Sequence, residues 1–471
     1  MKIMFIIPPV TMEERYGKLK DVGTLYPPLG LAYLAAIAEE KKCQVKVLDS
    51  EARGYSYQDL RKYIAEFMPD LIGMQTYCTN INQSIKVAKI AKEINKNCLI
   101  LLGGAQVTLF PKEYLKEECI DFAIIGEGEM IFANLINKLK SPNLSMDFSE
   151  IKGLIWKKNN TIIENKRQEL IKDLDSIPIP ARHYFPVEAY HSSAQLRGEK
   201  TLNIMTSRGC PFRCAYCSGH INFGKSFRYF SAERVIKEIR TMINDFKIDG
   251  IQFYDETFTV NRKRVIELCQ ALRTNGLTLP WSCFTRVNLV DKELLDEMKK
   301  AGCYQIFFGI ESGNQRLLDL IKKDITLDQA RNAIKLCKTA GIQSFCSFML
   351  NLPSETIEES QQTVNFAIDL DPDFVQFPIT TPFPGTELYD IAKKYGHFLT
   401  EDWSKFMSWD EVVYVSNGRS PEEIKHTVKQ AYKKFYMRPN YVFKALKRLG
   451  RLPLKNQINL IKTGIKTFLV K

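Results

Sequence analysis

Three cysteines stand close together in 207-SRGCPFRCAYCSGH-220, with three residues between Cys210 and Cys214 and two between Cys214 and Cys217. Thiolates bind soft metals. A closed structural zinc site needs four ligands, and the fourth could only be His220. In a [4Fe–4S] cluster, three thiolates would hold three irons and leave the fourth iron open. We favour the cluster over zinc and over cysteines that only pack, because an open iron could bind a substrate or a cofactor.

The elements that must position such a site begin with residues 1–140, where short apolar strands alternate with amphipathic helices. Five such strands predict an α/β domain with a parallel sheet covered on both faces. Its size is typical of a flavodoxin-like, Rossmann-type domain, whose ligands bind outside the carboxyl ends of the strands. Residues 141–195 break this alternation and read as a linker with a small hairpin.

Residues 196–400 return to strand–helix alternation, and six β/α units predict a full or partial TIM-type barrel. The cysteines follow its first strand. Polar side chains recur where later strands end, which is the active-site edge of a parallel barrel. These side chains are Asp255, Glu256, Arg286, Glu311 and Ser312.

The cysteine spacing, Tyr216 directly before the last cysteine, and the six β/α units together resemble the radical S-adenosylmethionine (SAM) superfamily. The resemblance implies that Cys210, Cys214 and Cys217 hold a [4Fe–4S] cluster whose open iron chelates SAM. It further implies reductive cleavage of SAM to a 5′-deoxyadenosyl radical. The SAM-binding residues implied are Tyr216, Asp255, Glu256, Arg286, Glu311 and Ser312. In 350-LNLPSET-356, Asn351 and Ser354 stand where the family has glycines, so we expect an altered turn there.

The domain that precedes the barrel resembles the cobalamin-binding subgroup of that superfamily, through 26-YPPLGLAYLAA-36, 102-LGGAQVTLFP-111 and 125-IGEGEM-130. The implied cobalamin-binding residues are Thr76, Tyr77, Gly103, Gly104, Gln106, Gly126, Glu127 and Gly128. The first 182 residues contain no histidine, so no histidine of this domain can be the lower axial ligand of cobalt. The alternative is a domain that has lost its cofactor and serves packing.

The resemblance implies a cobalamin-dependent radical SAM enzyme, with methyl transfer to an unactivated carbon as its reaction. One alternative is oxidative cyclisation or ring rearrangement with the same cofactors, as in anaerobic tetrapyrrole cyclases. Another is RNA modification of the tRNA methylthiotransferase type. We expect a small-molecule or lipid-like substrate and a reductase, flavodoxin or ferredoxin as electron donor.

Charge is concentrated in the C-terminal segment, residues 401–471. From residue 421 onward there are 13 Lys and Arg against 2 Asp and Glu, or +11 of the net charge of +12. Apolar residues recur there at helical spacing, with Lys462 and Lys466 between them; they are Ile458, Ile461, Ile465, Phe468 and Leu469. A helical cap on the barrel, a helix on anionic lipid, and RNA contact all fit this pattern. We do not expect nucleic acid as a partner.

The chain as a whole is predicted to be cytoplasmic, with possible peripheral contact at the inner face of the membrane. No apolar run approaches the roughly 20 residues of a membrane span. Nine cysteines outside the cluster are scattered singly among apolar residues, and we expect them to be buried free thiols. They are Cys43, Cys78, Cys98, Cys119, Cys269, Cys283, Cys303, Cys337 and Cys346.

Overall fold

The structure is a computed structural model. The structure describes residues 1–17, 23–142, 146–159, 161–191, 197–407 and 411–449. The chain forms two compact units. The first unit comprises Met1–Arg15, Leu25–Tyr190 and Ser218–Phe230, and the second comprises Tyr16–Thr24, His191–Cys217 and Ser231–Lys471. The chain therefore enters the second unit, returns to the first directly after Cys217, and leaves it again at Ser231.

The strands, in chain order, are β1 (Lys2–Ile7), β2 (Gln44–Asp49), β3 (Leu71–Gln75), β4 (Leu99–Gly103), β5 (Phe122–Ile124), β6 (Leu154–Lys158), β7 (Thr161–Glu164), β8 (Thr201–Ile204), β9 (Ser207–Arg208), β10 (Arg228–Tyr229), β11 (Gly250–Phe253), β12 (Trp281–Thr285), β13 (Cys303–Glu311), β14 (Gln343–Phe348), β15 (Phe374–Gln376), β16 (Gly396–Phe398) and β17 (Tyr414–Ser416).

The α-helices are α1 (Met12–Tyr16), α2 (Leu29–Glu40), α3 (Ser50–Arg53), α4 (Tyr57–Phe67), α5 (Ile81–Ile94), α6 (Ala105–Leu109), α7 (Pro111–Tyr114), α8 (Glu129–Leu139), α9 (Gly219–Phe223), α10 (Ala232–Phe246), α11 (Arg262–Thr274), α12 (Lys292–Lys300), α13 (Gln315–Leu320), α14 (Leu327–Ala340), α15 (Ile357–Leu370), α16 (Glu387–Tyr395), α17 (Pro421–Tyr436) and α18 (Pro439–Leu449).

The first unit is built on a sheet with strand order β2-β1-β3-β4-β5-β6-β7. Strands β1 to β5 pair in parallel in the flavodoxin order, as predicted. Successive residues of β1 enter different cores: Ile3 and Phe5 pack on one face, and Met4 and Ile6 on the other. Burial on both faces explains why this strand is apolar throughout rather than alternating.

The predicted hairpin is present as β6 and β7, but it belongs to the sheet rather than to a free-standing linker. Strand β6 pairs antiparallel with β5, where Ala123 faces Ile155. Its residues Leu154, Ile155 and Trp156 are all buried. Three consecutive apolar side chains need cover on both faces, and the sheet with its helices provides that cover.

The second unit is built on a six-stranded sheet with order β15-β14-β13-β12-β11-β8. Every pairing in it is parallel, and each strand lies beside the next one along the chain. These strands are the six β/α units predicted from the sequence. The predicted α/β fold, with a flavodoxin-like domain followed by a partial barrel, is thus confirmed.

The described part of the C-terminal segment is only partly helical, because it contains strand β17 before α17 and α18. Helix α17 covers the edge strand of the second sheet. The Tyr432 hydroxyl accepts a bond of 3.1 Å from the amide of Phe377, and the Tyr436 hydroxyl accepts one of 3.0 Å from the amide of Val375. Tyr436 also donates to the carbonyl of Val375 at 2.6 Å. Backbone groups that an edge strand would leave unpaired are thereby satisfied. The tail positions between Ile458 and Leu469 lie outside the described residues.

Among the residues that the structure describes, no helix is both long and apolar enough to cross a membrane. The scattered cysteines are free thiols, and all are buried except Cys78, which is half-buried.

Candidate functional site

The three clustered cysteines lie on the loop after β8 and β9 and are partly exposed. The loop turns tightly, since the amide of Cys217 donates to the carbonyl of Cys214 at 3.1 Å. Cys210 Sγ lies 3.5 Å from Thr257 Oγ1. Within the described ranges, no group of three His, Cys, Asp or Glu side chains is arranged as a ready metal site. The chemistry of the donor set, three free thiols on one short loop, fits an iron–sulfur cluster.

Ala215 anchors this loop between its second and third cysteines. Its amide donates to the carbonyl of Ile321 at 2.8 Å, and its carbonyl accepts from the amide of Leu388 at 2.8 Å. Its methyl group packs in a small core with Leu317 and Leu352. Cys214 and Cys217 are therefore held by a fixed backbone between them.

Arg286, at the end of β12, contacts the same loop. Its Nη1 donates to Cys214 Sγ at 3.1 Å, and its Nη2 donates to the carbonyl of Lys323. Its guanidinium lies 3.9 Å from the centroid of the Phe212 ring. Arg286 thus links the cysteine loop to the end of β12 and to the backbone at Lys323.

A buried ionic network forms where β13 ends. Lys323 Nζ donates to Glu311 Oε1 at 3.1 Å and to the Tyr216 hydroxyl at 2.7 Å, and Tyr216 donates to Glu311 at 3.0 Å. Burial and the neighbouring carboxylate of Glu311 raise the pKa of Tyr216, so the phenol keeps the proton that it donates. The network joins Tyr216 and Glu311, two of the predicted SAM contacts, and adds Lys323.

Sequence reasoning missed Lys323. Its neighbour Lys322 pairs with the half-exposed Glu387, whereas Lys323 is 4% exposed and turns inward. Nothing in the run Lys322-Lys323-Asp324 distinguishes the two lysines. The backbone does, since Lys322 and Asp324 both have positive φ, at 52° and 50°, and this reverses the chain around Lys323.

Two other predicted SAM ligands are occupied by contacts within the protein. Asp255 accepts from the amides of Thr206 and Ser207 at 2.5 and 2.8 Å and lies 3.8 Å from Arg264. Its burial raises its pKa. Ser312 Oγ lies 3.2 Å from Thr363 Oγ1 and is fully buried. Glu256 is half-buried beside Asp255. Asp255 thus ties the end of β11 to the end of β8, and its contact with SAM stays a prediction.

The expectation of an altered turn at 350-LNLPSET-356 was wrong. Asn351 and Ser354 both keep positive φ, at 66° and 63°. Asn is among the residues that tolerate this conformation, and here its side chain is used as well. Asn351 Nδ2 donates to the carbonyl of Tyr414 at 2.9 Å, and this bond helps to fix the turn without glycine.

In the first unit, the predicted cobalamin residues gather where β3, β4 and β5 end. The amide and hydroxyl of Thr76 donate to the carbonyl of Gly103 at 2.7 and 2.8 Å. Gly104 has φ of 101°, and a Cβ there would lie 2.7 Å from the carbonyl oxygen of Thr76. This glycine is required by the close approach of two backbone segments. At Gly103, in contrast, an added Cβ would meet only an ordinary contact, with Ile124 at 3.9 Å.

The remaining predicted residues differ in what they contact. Gln106 donates to the Tyr114 hydroxyl at 2.6 Å, and Gly126 has φ of 79° with the carbonyl oxygen of Asn222 3.5 Å from an added Cβ. Tyr77 is 44% exposed. At Gly128 an added Cβ would meet only ordinary contacts, the nearest at 3.6 Å, so this position does not require glycine.

Glu127 forms a buried salt bridge with Arg228, which sequence reasoning missed. Both carboxylate oxygens lie 2.9 Å from Arg228 Nη1, and the amide of Ile171 donates to Glu127 at 2.8 Å. Arg228 also donates to the carbonyls of Ile171 and Phe223, at 2.7 and 2.8 Å. The pair holds the segment 218–230 in the first unit.

Three buried amide oxygens in this unit have no hydrogen-bond partner among the described residues: Gln75 Oε1, Gln83 Oε1 and Asn222 Oδ1. Gln75 ends β3 and lies against Gly104, and Asn222 lies beside Gly126. Buried acceptors of this kind need a donor. The primary amides around the cobalamin ring would supply N–H donors, so these residues fit that cofactor.

Two family models match this chain. The model of the radical SAM superfamily matches residues 204–367, and that of the B12 binding domain matches residues 19–136.

Curated relatives match nearly the whole chain. An uncharacterised methyltransferase from Pyrococcus horikoshii is 37% identical over 445 residues, covering 94% of each protein. An anaerobic magnesium-protoporphyrin IX monomethyl ester cyclase from Cereibacter sphaeroides is 28% identical, covering 93% of this chain and 71% of the relative. A cytidylyl-2-hydroxyethylphosphonate methyltransferase from Streptomyces wedmorensis is 29% identical, covering 82% of this chain and 80% of the relative.

The fold matches the structure of TsrM from Kitasatospora setae, a radical SAM methyltransferase with cobalamin and a [4Fe–4S] cluster bound. The TM-score is 0.71 at 17% identity, over 93% of this chain and 90% of that chain. The predicted cofactor classes agree with both family models. The chain belongs to the radical SAM enzymes that carry a B12-binding domain, in a family that includes methyltransferases.

Proposed function

We propose that this chain transfers a methyl group from SAM to an unactivated carbon of a small-molecule substrate, with cobalamin as the intermediate carrier. One observation carries the proposal: Tyr216, Arg286, Glu311 and Lys323 converge on the cysteine loop. An electron-transfer protein would have no need of this ionic network. Neither alternative, cyclisation or RNA methylthiolation, is favoured by the matches over methyl transfer.

When bound, the cluster with SAM supplies a carbon radical, and cobalamin supplies a transferable methyl group. Cys210, Cys214 and Cys217 would hold the cluster. Arg286 would hold the sulfur of Cys214 and fix the loop against the carbonyl of Lys323. The protein thereby sets geometry before any cofactor arrives.

Glu311 and Lys323 would orient SAM at the edge of the barrel. The carboxylate of Glu311 can accept from ribose hydroxyls, and the ammonium of Lys323 can pair with the SAM carboxylate. Because each is already paired with the other, both side chains are held in place in the free protein. Arg286, Asp255, Glu256 and Ser312 remain as predicted SAM contacts.

Cobalamin would lie at the carboxyl edge of the first sheet, against the eight residues predicted from the sequence. Gln75 and Asn222 would accept hydrogen bonds from its ring amides. Since the first 182 residues contain no histidine, the lower face of cobalt would have no histidine ligand from them.

Anaerobic reconstitution tests the proposal. Purified chain is loaded with iron, sulfide and hydroxocobalamin, then given SAM and a reductant. We expect about four irons and one cobalt per chain, with 5′-deoxyadenosine formed. Cys214→Ala should lose iron and SAM cleavage, whereas the matched variant Cys43→Ala should keep both. Retention of SAM cleavage by Cys214→Ala would sink the cluster assignment, and absence of cobalt would sink the cobalamin assignment.

Product mass then tests the reaction. Methyl transfer adds one CH₂ to the substrate, and cyclisation removes hydrogens. An electron donor, either a reductase or a flavodoxin or ferredoxin, completes the proposal.

Peripheral membrane contact stays a prediction of the basic tail. Flotation of the full chain with anionic liposomes tests it against a Lys462→Glu, Lys466→Glu variant. Equal flotation of the two proteins would contradict the prediction.

A further inference from the structure

Five aromatic side chains form a continuous row across the second sheet, one on or directly after each of five adjacent strands: Tyr254, Phe284, Phe307, Phe345 and Phe374. We call this set the aromatic row. Neighbouring ring centroids lie 5.4, 5.1, 4.5 and 6.0 Å apart along it. The register places Phe307 directly opposite both Phe284 and Phe345, and Phe345 opposite Phe374.

The aromatic row lies on the face of the sheet that turns away from the helices. Its four phenylalanines are half-buried and Tyr254 is 45% exposed. The residues that alternate with them, such as Phe253, Phe308 and Cys346, are fully buried. Cross-strand aromatic pairs stabilise a sheet wherever they occur. If the aromatic row served only to stabilise the sheet, its five rings would not need to remain accessible on one apolar surface.

A second row of neutral polar side chains lies one layer toward the amino ends of the strands. We call it the amide row: Asn203, Gln252, Ser282, Gln305 and Gln343, which are paired in this order by the strand register. Gln305 Nε2 is buried and has no hydrogen-bond partner within the described part of the chain. A buried N–H donor left in this state requires an acceptor.

In the described strands, the positions of both rows on this face hold only uncharged side chains. The first charged side chains on this face are Glu256, Arg286 and Glu311, at the edge where the cysteine loop lies. Of these, Arg286 and Glu311 bond to Cys214 and Lys323. Arg286 follows Phe284 by two residues, so the aromatic row lies directly below that edge. An ionised group placed against the two rows would lose its hydration without gaining a counter-charge from their side chains.

We propose that this face binds the substrate, and that the substrate presents an uncharged, apolar ring system. Its rings would lie against the aromatic row, which offers stacking and edge contacts. A neutral acceptor, such as a carbonyl or an ester, would point toward the amide row and accept from Gln305. The inference rests on the proposed function, because it names the substrate class of the same barrel edge.

A porphyrin in two charge states tests this inference directly. The reconstituted holoenzyme, with cobalamin bound, is dialysed to equilibrium against mesoporphyrin IX dimethyl ester or against the free dicarboxylate, both in nonionic detergent. The ring is the same and only the charge differs. We expect the ester to bind at least about tenfold more tightly than the dicarboxylate. Equal affinities would overturn the proposal.

Substitutions in the aromatic row test whether the porphyrin ester binds there. Phe307→Leu and Phe345→Leu keep apolar volume but remove a ring, and each should weaken ester binding by about tenfold. Tyr254→Leu, at the exposed end of the row, is the variant least coupled to folding and should weaken binding as well. The matched control is Phe443→Leu on α18, which is 70% exposed and should bind as the wild type does.

The outcomes separate this inference from the proposed function. Wild type that cleaves SAM but binds neither porphyrin contradicts the inference alone. Wild type that binds the ester but does not cleave SAM contradicts the proposed function alone. Ester binding that survives all three row variants contradicts the aromatic row as its site, provided that their thermal unfolding midpoints match that of the wild type.

Discussion

The carboxyl edges of the two sheets differ in how their polar groups are satisfied before any cofactor is bound. At the barrel edge, Glu311, Lys323 and Tyr216 bond to one another, and Arg286 bonds to the cysteine loop. At the edge of the first sheet, Gln75 and Asn222 keep buried amide oxygens without a partner in the described residues. The barrel edge is therefore organised in advance, whereas the first sheet keeps acceptors that a ligand would satisfy.

The difference follows from what each site would bind. Ionic groups at low dielectric are costly when unpaired, so a site that uses charges must pair them in the free protein. A neutral amide oxygen costs less free energy to leave unpaired. A site that uses amides can therefore keep acceptors unpaired until its ligand binds. Substitutions should therefore affect folding at the barrel edge and ligand affinity at the first sheet.

The largest effect should follow removal of Lys323. Lys323→Met leaves the carboxylate of Glu311 buried without a counter-charge and should lower the free energy of unfolding by about 3–5 kcal/mol, measured by denaturant titration. The matched control, Lys322→Met, removes a half-exposed pair with Glu387 and should cost less than about 1 kcal/mol. Adding Glu311→Gln to Lys323→Met should recover part of the loss. A Lys323→Met variant as stable as Lys322→Met would break the comparison.

A second prediction concerns Glu355, a buried carboxyl of the barrel whose hydrogen bonds come from neutral donors. The amide of Leu352 and the Ser360 hydroxyl donate to it at 2.5 and 2.8 Å. Burial raises its pKa to about 7 from an ordinary 4.5. The folded state thus favours the protonated form, and stability that is present below pH 4.5 is lost as pH rises through 7.

Glu355→Gln removes this dependence. Relative to wild type, its free energy of unfolding should rise by about 3 kcal/mol between pH 4 and pH 8, measured by denaturant titration across that range. Glu359→Gln is the control, because the pKa of Glu359 is lowered, chiefly by its hydrogen bond with Arg316. The free energy of unfolding of Glu359→Gln, relative to wild type, should not rise with pH. If the difference in the free energy of unfolding between Glu355→Gln and wild type did not change with pH, Glu355 would ionise as readily as an exposed carboxyl.

Two glycines at the carboxyl edge of the first sheet differ in whether the backbone requires glycine. Their alanine variants should differ in stability accordingly. Gly104→Ala forces positive φ on alanine and a clash with the Thr76 carbonyl, and it should cost about 1–3 kcal/mol in the cofactor-free protein. Gly128→Ala meets only ordinary contacts and should be close to neutral. Thermal unfolding of the two variants side by side measures the contrast. Equal losses would contradict the geometry of the Gly104 turn.

The smallest effect on folding should come from the unsatisfied amide itself. Gln75→Leu should leave the stability of the cofactor-free protein unchanged or slightly higher, yet weaken cobalamin binding by about tenfold in an absorbance titration. Gln106→Leu is its counterpart, because Gln106 already donates to Tyr114. That variant should cost about 1 kcal/mol without cofactor. If Gln75→Leu destabilised the free protein more than Gln106→Leu, the contrast between the two edges would fail.

The sequence predicts the fold and the cysteine loop well, because hydrophobic periodicity and motif spacing are local. Lys323 and Arg228 were not predictable in this way, since their partners Glu311 and Glu127 are 12 and 101 residues away. The aromatic and amide rows correspond to a pattern in the sequence that we did not recognise from the sequence alone. A Gln followed two residues later by an aromatic residue occurs on three strands, at Gln252-Tyr254, Gln305-Phe307 and Gln343-Phe345.

The return of residues 218–230 to the first unit also constrains how the chain is made. Until Arg228 has left the ribosome, Glu127 has no guanidinium to pair with, and burying it would be costly. The first unit therefore gains this segment and its salt bridge only after all three clustered cysteines have been synthesised. A fragment that stops at residue 195 would lack this closing segment, so an expression clone of the first unit would have to carry 218–230 as well.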